Sequence, residues 1–117
     1  MAYESRIIIV DKHTHNYKEN SYIYAEYIAE IEMGGMRHNF FDLFTQEIDY
    51  TVYVDDKETN TDCYGDVIKS AEPQAVIEWL ENEVKTDNYR RLKPLLNLLK
   101  GFDLSEWDEI QVLHYGY

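Results

Sequence analysis

At 117 residues the chain is long enough for one compact domain and too short for two ordinary ones. A hydrophobic content of 44%, with 15% aromatic, is enough to build a core and excludes wholesale disorder. The net charge of −12 disfavours direct binding to nucleic acid, because phosphate contacts need Lys and Arg to displace counterions. It favours solubility, and either a basic partner or no charged partner.

Residues 3–11, YESRIIIVD, predict a strand. Ile7 to Val10 form an unbroken β-branched run, as expected of a strand covered on both faces. Residues 12–21 are polar and read as a loop. In 22–33, Ile23, Ala25, Tyr27, Ala29, Ile31 and Met33 alternate with Tyr24, Glu26, Glu30 and Glu32, which predicts a second strand closed by Gly34-Gly35. Phe40, Phe41, Leu43 and Phe44 in 37–48 predict a short helix with Asn39 as its cap.

Residues 49–56 read as a strand, 57–62 as a turn and 63–70 as a returning hairpin strand. Pro73, preceded by Ser70 or Glu72, suits a first helical turn, and Val76, Ile77, Leu80 and Val84 share one face. A second helix is expected in 86–102, with Asp87 as N-cap, Gly101 as stop, and an apolar stripe of Leu92, Leu95, Leu96 and Leu99. Pro94 must kink that helix or open it at a later start. A turn over 103–110 leads to a strand over 109–115, in which Ile110, Val112 and His114 alternate with Gln111, Leu113 and Tyr115. The expected fold is α+β: one domain over 1–117, with a mixed or antiparallel sheet of about 4–5 strands and two main helices packed on one side.

Charge is segregated along the chain. Between Asp42 and Asp66 stand eight acids and one base, Lys57, whereas 85–100 is rich in Lys and Arg. One face is therefore expected to be strongly negative, either as a solvated surface or as an imitation of a phosphate array that fits a basic groove. The candidate contact residues are Asp49, Asp55, Asp56, Glu58, Asp62 and Asp66, with Tyr53 and Tyr64 as aromatic anchors among the carboxylates.

Other chemistries fare worse. Asp56, Glu58, Asn60 and Asp62 imitate the start of a calcium loop. However, Thr61 stands where the loop needs Gly, and Val67 where it needs Glu. His13 and His15 share a side if extended, but no third ligand follows. Cys63 is the only cysteine, so it forms no disulfide within the chain, and a reducing cytosolic setting is expected. With His38 and His114 it is the only candidate for nucleophilic catalysis, and no local motif supports the pairing; a buried, inert thiol is expected. His114 reads as part of the terminal strand. No catalytic, cofactor-binding or metal-ligating residue is assigned, and no enzyme activity is expected. The opening MAYESR lacks the charged region and apolar run of a signal peptide. No stretch approaches the ~18 apolar residues of a membrane span.

Three stretches, YESRIIIVDK, YVDDKETNTDCYGDVIKSAEPQAVIEWLE and YRRLKPLLNLLKGFDLSEWDEIQVLHYGY, resemble small uncharacterised proteins encoded by phages, prophages and plasmids of low-GC Gram-positive bacteria. The resemblance implies a mobile-element accessory protein in the bacterial cytoplasm. That setting includes acidic proteins that disable host defence, anti-CRISPR proteins among them. The expectation is a non-enzymatic inhibitor that binds the basic surface of a host nucleic-acid-handling protein, without direct nucleic-acid or membrane contact. Two alternatives stand beside it: a nucleotide-binding module using Tyr stacking with Arg90 and Arg91, and a homodimeric or larger assembly factor.

Overall fold

The computed structural model describes residues 4–35, 38–86 and 91–117. Two long strands, β1 (Ser5–Tyr17) and β2 (Asn20–Gly34), form a hairpin. A four-residue helix α1 (His38–Phe41) leads to the short strands β3 (Gln46–Glu47), β4 (Val52–Val54), β5 (Lys57–Thr59) and β6 (Lys69–Ala71). Helices α2 (Pro73–Glu83) and α3 (Leu92–Lys100), a 3-10 turn at Leu104–Glu106 and strand β7 (Ile110–Gly116) complete the chain. The main sheet is antiparallel throughout, in the order β2-β1-β7-β6-β3, and β4-β5 form a separate hairpin. The α+β expectation holds.

The β-branched run of β1 explains the layering. Ile7 and Ile9 belong to one core cluster with Val76, Leu80, Leu92, Leu95, Leu99, Ile110 and Val112, so the helices cover that face. Ile8 and Val10 belong to a second cluster with Ile48, Tyr50, Val52, Val54, Ile68 and Leu113, so the β4–β5 hairpin covers the other. Helices and hairpin thus sandwich the sheet, and Ile7 to Val10 are essentially inaccessible. Pro94 lies in the first turn of α3, where its missing N–H costs nothing, so the later helix start is the one adopted. The predicted N-cap Asp87 lies outside the described residues. Glu72 precedes Pro73 as the N-cap of α2.

Asn39, expected as a cap, lies inside α1. Three expectations about the strands also need correction. Residues 12–21 are not a loop: β1 runs to Tyr17, Lys18-Glu19 make a two-residue turn, and β2 begins at Asn20. Lys18 takes the left-handed conformation this turn needs (φ 55°). The polar composition there reflects exposure rather than irregular backbone.

The second hairpin turns earlier than expected. Asp55 and Asp56 both have positive φ (52° and 64°), and Val54 faces Lys57 across a two-residue turn. Residues 57–59 are therefore strand. The 63–70 segment contributes only the start of β6 and a bridge between Thr61 and Val67.

The six-member alternation in β2 is broken. Ala29 faces Ile9 while Tyr27 faces Val10, which leaves Ile28 as the extra residue of a β-bulge. Ile23, Ala25 and Tyr27 consequently lie on the hairpin side of the sheet, and Ala29 and Ile31 on the helix side.

Candidate partner-binding surface

The β4–β5 hairpin presents its apolar side to the sheet through Val52 and Val54, which turns Tyr53 outward at 64% exposure. Tyr53 stands directly across the ladder from Glu58, and directly opposed side chains share a face. Glu58 accepts a hydrogen bond from the Thr51 hydroxyl, which steadies the carboxylate beside the ring. The Asp55-Asp56 turn closes the same hairpin, with both side chains exposed. Tyr53 and Glu58 thus share the outward face of this hairpin, with the exposed Asp55-Asp56 turn at its end.

The other predicted contact residues divide by what holds them. Asp62 folds its own loop: Oδ1 accepts the N–H of Tyr64 at 2.8 Å and of Asp66 at 3.1 Å. The loop is anchored to β7 by the Cys63 N–H on the Gly116 carbonyl at 3.1 Å. This leaves Tyr64 and Asp66 exposed. Asp49 pairs with Lys12 at 3.4 Å. Asp55 pairs with Arg6 at 3.2 Å, and the same guanidinium reaches Glu32 of β2 at 3.4 Å. Asp49, Asp55 and Asp62 therefore have partners within the fold, though Asp49 and Asp55 remain exposed together with Tyr53, Asp56, Glu58, Tyr64 and Asp66.

Arg6 also explains the tyrosines of the last strand. Its guanidinium lies 4.9 Å from the ring centre of Tyr117 and 5.7 Å from that of Tyr115. The arginine is 7% exposed, so these contacts form where water is largely displaced. Tyr117 and Glu4 exchange both backbone hydrogen bonds, which extends the β1–β7 ladder past Ser5.

His114, adjacent to Tyr115, faces the opposite layer. Its ring packs against Phe41 at 4.9 Å and Phe44 at 5.5 Å, and Nε2 lies 2.9 Å from the Ser5 hydroxyl. Burial pushes its pKa down to about 4, against a weaker opposing pull from Asp62. His114 is thus a neutral packed residue. Cys63, expected to be buried, is exposed on the 62–66 loop, while the His38 side chain lies outside the described residues.

Sequence reading missed a second polar cluster. His13 Nδ1 lies 2.6 Å from Asp108 Oδ2, and Nε2 lies 3.2 Å from Asp11 and 3.6 Å from Glu26. The ring stacks on Tyr24, with centroids 4.8 Å apart. The Asp108 hydrogen bond raises the His13 pKa, partial burial opposes it, and the charges of Asp11, Asp108 and Glu26 add to the rise. Asp11 also accepts the Glu109 N–H at 2.8 Å. Asp108 is far from His13 in sequence, so no local spacing could have revealed the pair.

Asp56, Glu58, Asn60 and Asp62 do not curl around a common centre, because Glu58 lies in β5 and Asn60 continues it toward the Thr61 bridge. Among the described residues, no group of three or more His, Cys, Asp or Glu side chains is arranged to hold a metal.

A groove of about 540 Å³ beside β3 and β6 is lined by Glu47, Asp49, Glu72 and Glu109, with Lys12 as its cation. Lys12 is already paired with Asp49, so the groove repels a phosphate. Arg90 lies outside the described residues, and Arg91 donates to the Glu32 carbonyl. Among the described residues, no helix is long and apolar enough to cross a membrane. No family model matches the sequence, and neither a curated protein nor a solved structure matches it.

Proposed function

We propose that this chain is a non-enzymatic binding protein whose acidic hairpin layer occupies a basic groove on a partner that handles nucleic acid. The observation that carries the reading is Tyr53, 64% exposed and directly opposite Glu58, beside the exposed Asp55-Asp56 turn. Burying an aromatic anchor supplies affinity, while the surrounding carboxylates steer the encounter and fix its register. On a molecule of net charge −12, such a surface competes with nucleic acid for the same groove. The resemblance to mobile-element proteins gives the reading its setting: inhibition of a host nucleic-acid-handling complex, anti-CRISPR-like in kind, in the bacterial cytoplasm.

The test is a pair of charge reversals. Asp56→Lys with Glu58→Lys alters the hairpin layer. Glu78→Lys with Glu81→Lys removes the same amount of negative charge from the exposed side of α2. The reading expects the first variant to lose binding to a basic nucleic-acid-binding protein and the second to keep it. Equal losses would mean that net charge alone acts, and the face would have no specific role. Asp55→Lys is not a clean test, because it also breaks the pair with Arg6.

A further inference from the structure

The β1–β2 hairpin outruns the sheet that carries it. Among the described residues, Ser5–Asp11 of β1 pair with both β2 and β7, whereas His13–Tyr17 pair only with Tyr24–Asn20. The distal hairpin is thus a two-stranded arm, and the molecule is correspondingly elongated at 52 × 36 × 23 Å. On one face Ile23 and Ala25 pack against the core under the β4–β5 hairpin, so the arm is supported on that side and open on the other. This arm also carries exposed rings: Tyr17, Tyr22 and Tyr24 are 61%, 53% and 46% exposed. On one face His13 stacks on Tyr24, His15 lies 5.3 Å from Tyr22, and Tyr22 lies 6.3 Å from Tyr24.

Among the described residues no strand pairs with the outer edge of β2, and that edge is guarded along only part of its length. From Ile28 onward it carries the bulge and the acids Glu30 and Glu32, devices that discourage edge pairing. From Asn20 to Tyr27 the register is continuous, and the segment contains no Pro or Gly and one charged residue, Glu26.

We propose that this segment is a self-association surface on which a second copy of the chain adds its own β2 edge, antiparallel, about a two-fold axis through Ile23. The register that follows is self-complementary. Ile23 faces Ile23 of the partner copy, Tyr22 faces Tyr24, Ser21 faces Ala25 and Asn20 faces Glu26. No acid opposes an acid. The two arms become a four-stranded sheet, with the rings of both copies gathered on one face.

Charge selects the same occupant. Residues 13–24 contain Lys18 and Glu19 as their only Lys, Arg, Asp or Glu, so the arm is formally neutral on a molecule of net charge −12. The antiparallel arrangement leaves the two acidic bodies at opposite ends. Contact through the arms avoids the repulsion that body-to-body contact would meet.

The experiment is light scattering coupled to size exclusion on the full chain over roughly 10–200 μM, a range suited to a contact of this modest size. The expected result is a mass approaching twice 14.0 kDa as concentration rises. Ile23→Lys, which opposes two lysines at the axis, is expected to give a monomer. Thr14→Lys, opposite Ile23 on the far strand of the same arm, is expected to leave the dimer intact. A second readout covers the case in which Ile23→Lys fails to fold. In a Cys63→Ser background, Ile23→Cys is expected to form an intermolecular disulfide on mild oxidation, and Thr14→Cys is not. A monomer at every concentration overturns the proposal. So does a dimer that survives Ile23→Lys, or crosslinking at residue 14 in place of residue 23. Ile23 packs against the inner side of the hairpin layer, so failure of the two proposals is told apart by Asp56→Lys with Glu58→Lys, which alters only exposed side chains and is expected to leave the dimer intact.

Discussion

Replacing His114 by Gln should make the protein less sensitive to acid. The imidazole is enclosed by Phe41 and Phe44 and bonded to Ser5, and burial lowers its pKa from 6.5 to about 4. Between those values the unfolded chain binds a proton that the folded chain refuses. Stability therefore falls as pH drops from about 7 towards 4. Linkage with these two pKa values gives a loss of about 2 kcal/mol by pH 5 and about 3 kcal/mol by pH 4. Gln keeps a hydrogen-bonding group for Ser5 and does not titrate. Any fixed cost of the substitution is present at both pH values, and the other titrating groups are common to both proteins. The assay is urea unfolding of wild type and variant at pH 7 and pH 5. The gap between them should move by about 2 kcal/mol in favour of the variant as the pH falls. A gap that stays constant would refute the reasoning, because His114 would then titrate alike in both states.

His13 should behave in the opposite sense. Its raised pKa makes its contribution to stability fully present below 6.5 and lost as pH climbs through the folded value. NMR titration of Asp108→Asn should show the His13 pKa lowered; an unchanged value would discard the Asp108 pair as the cause. Arg6→Ala is expected to cost ~3 kcal/mol, and Arg6→Met, which keeps the buried stem, about 1 kcal/mol. The ion pairs add little to either figure, because their carboxylates are 75% and 55% exposed and rehydrate when the arginine is lost. Thermal unfolding reads both variants, and equal losses would mean that the stem does no packing. Asp62→Ala should cost about 1 kcal/mol and speed amide exchange at Tyr64 and Asp66. Unchanged exchange there would show that the loop does not depend on its carboxylate.

The fold was legible wherever a local pattern had a single physical reading. Ile7 to Val10 announced a strand buried on both faces, and α2 and α3 followed from their apolar stripes and from Pro73. The distal β1–β2 arm was illegible because polar, exposed strand residues resemble loop residues, and Lys18-Glu19 is not a strong turn signal. The Asp55-Asp56 turn was missed for the same reason, since the left-handed conformation is usually supplied by Asn-Gly or Asp-Gly. The bulge at Ile28 left the alternation intact on paper while reversing which face each half of β2 presents. Of the candidate surface, Asp49, Tyr53, Asp55, Asp56, Glu58, Tyr64 and Asp66 are exposed and Asp62 is half-buried. The structural duties of Asp49, Asp55 and Asp62 depend on Lys12, on Arg6 and on a loop geometry that spacing alone does not reveal.

The most direct measurement is competition for a basic groove. Fluorescence anisotropy of a labelled DNA duplex bound to a guide-loaded RNA-guided nuclease should fall as this protein is added. The apparent affinity should weaken roughly tenfold or more between about 0.05 and 0.3 M salt. Asp56→Lys with Glu58→Lys should abolish the displacement, and Glu78→Lys with Glu81→Lys should preserve it. Absence of displacement at low salt, or displacement that survives reversal of Asp56 and Glu58, would contradict the account.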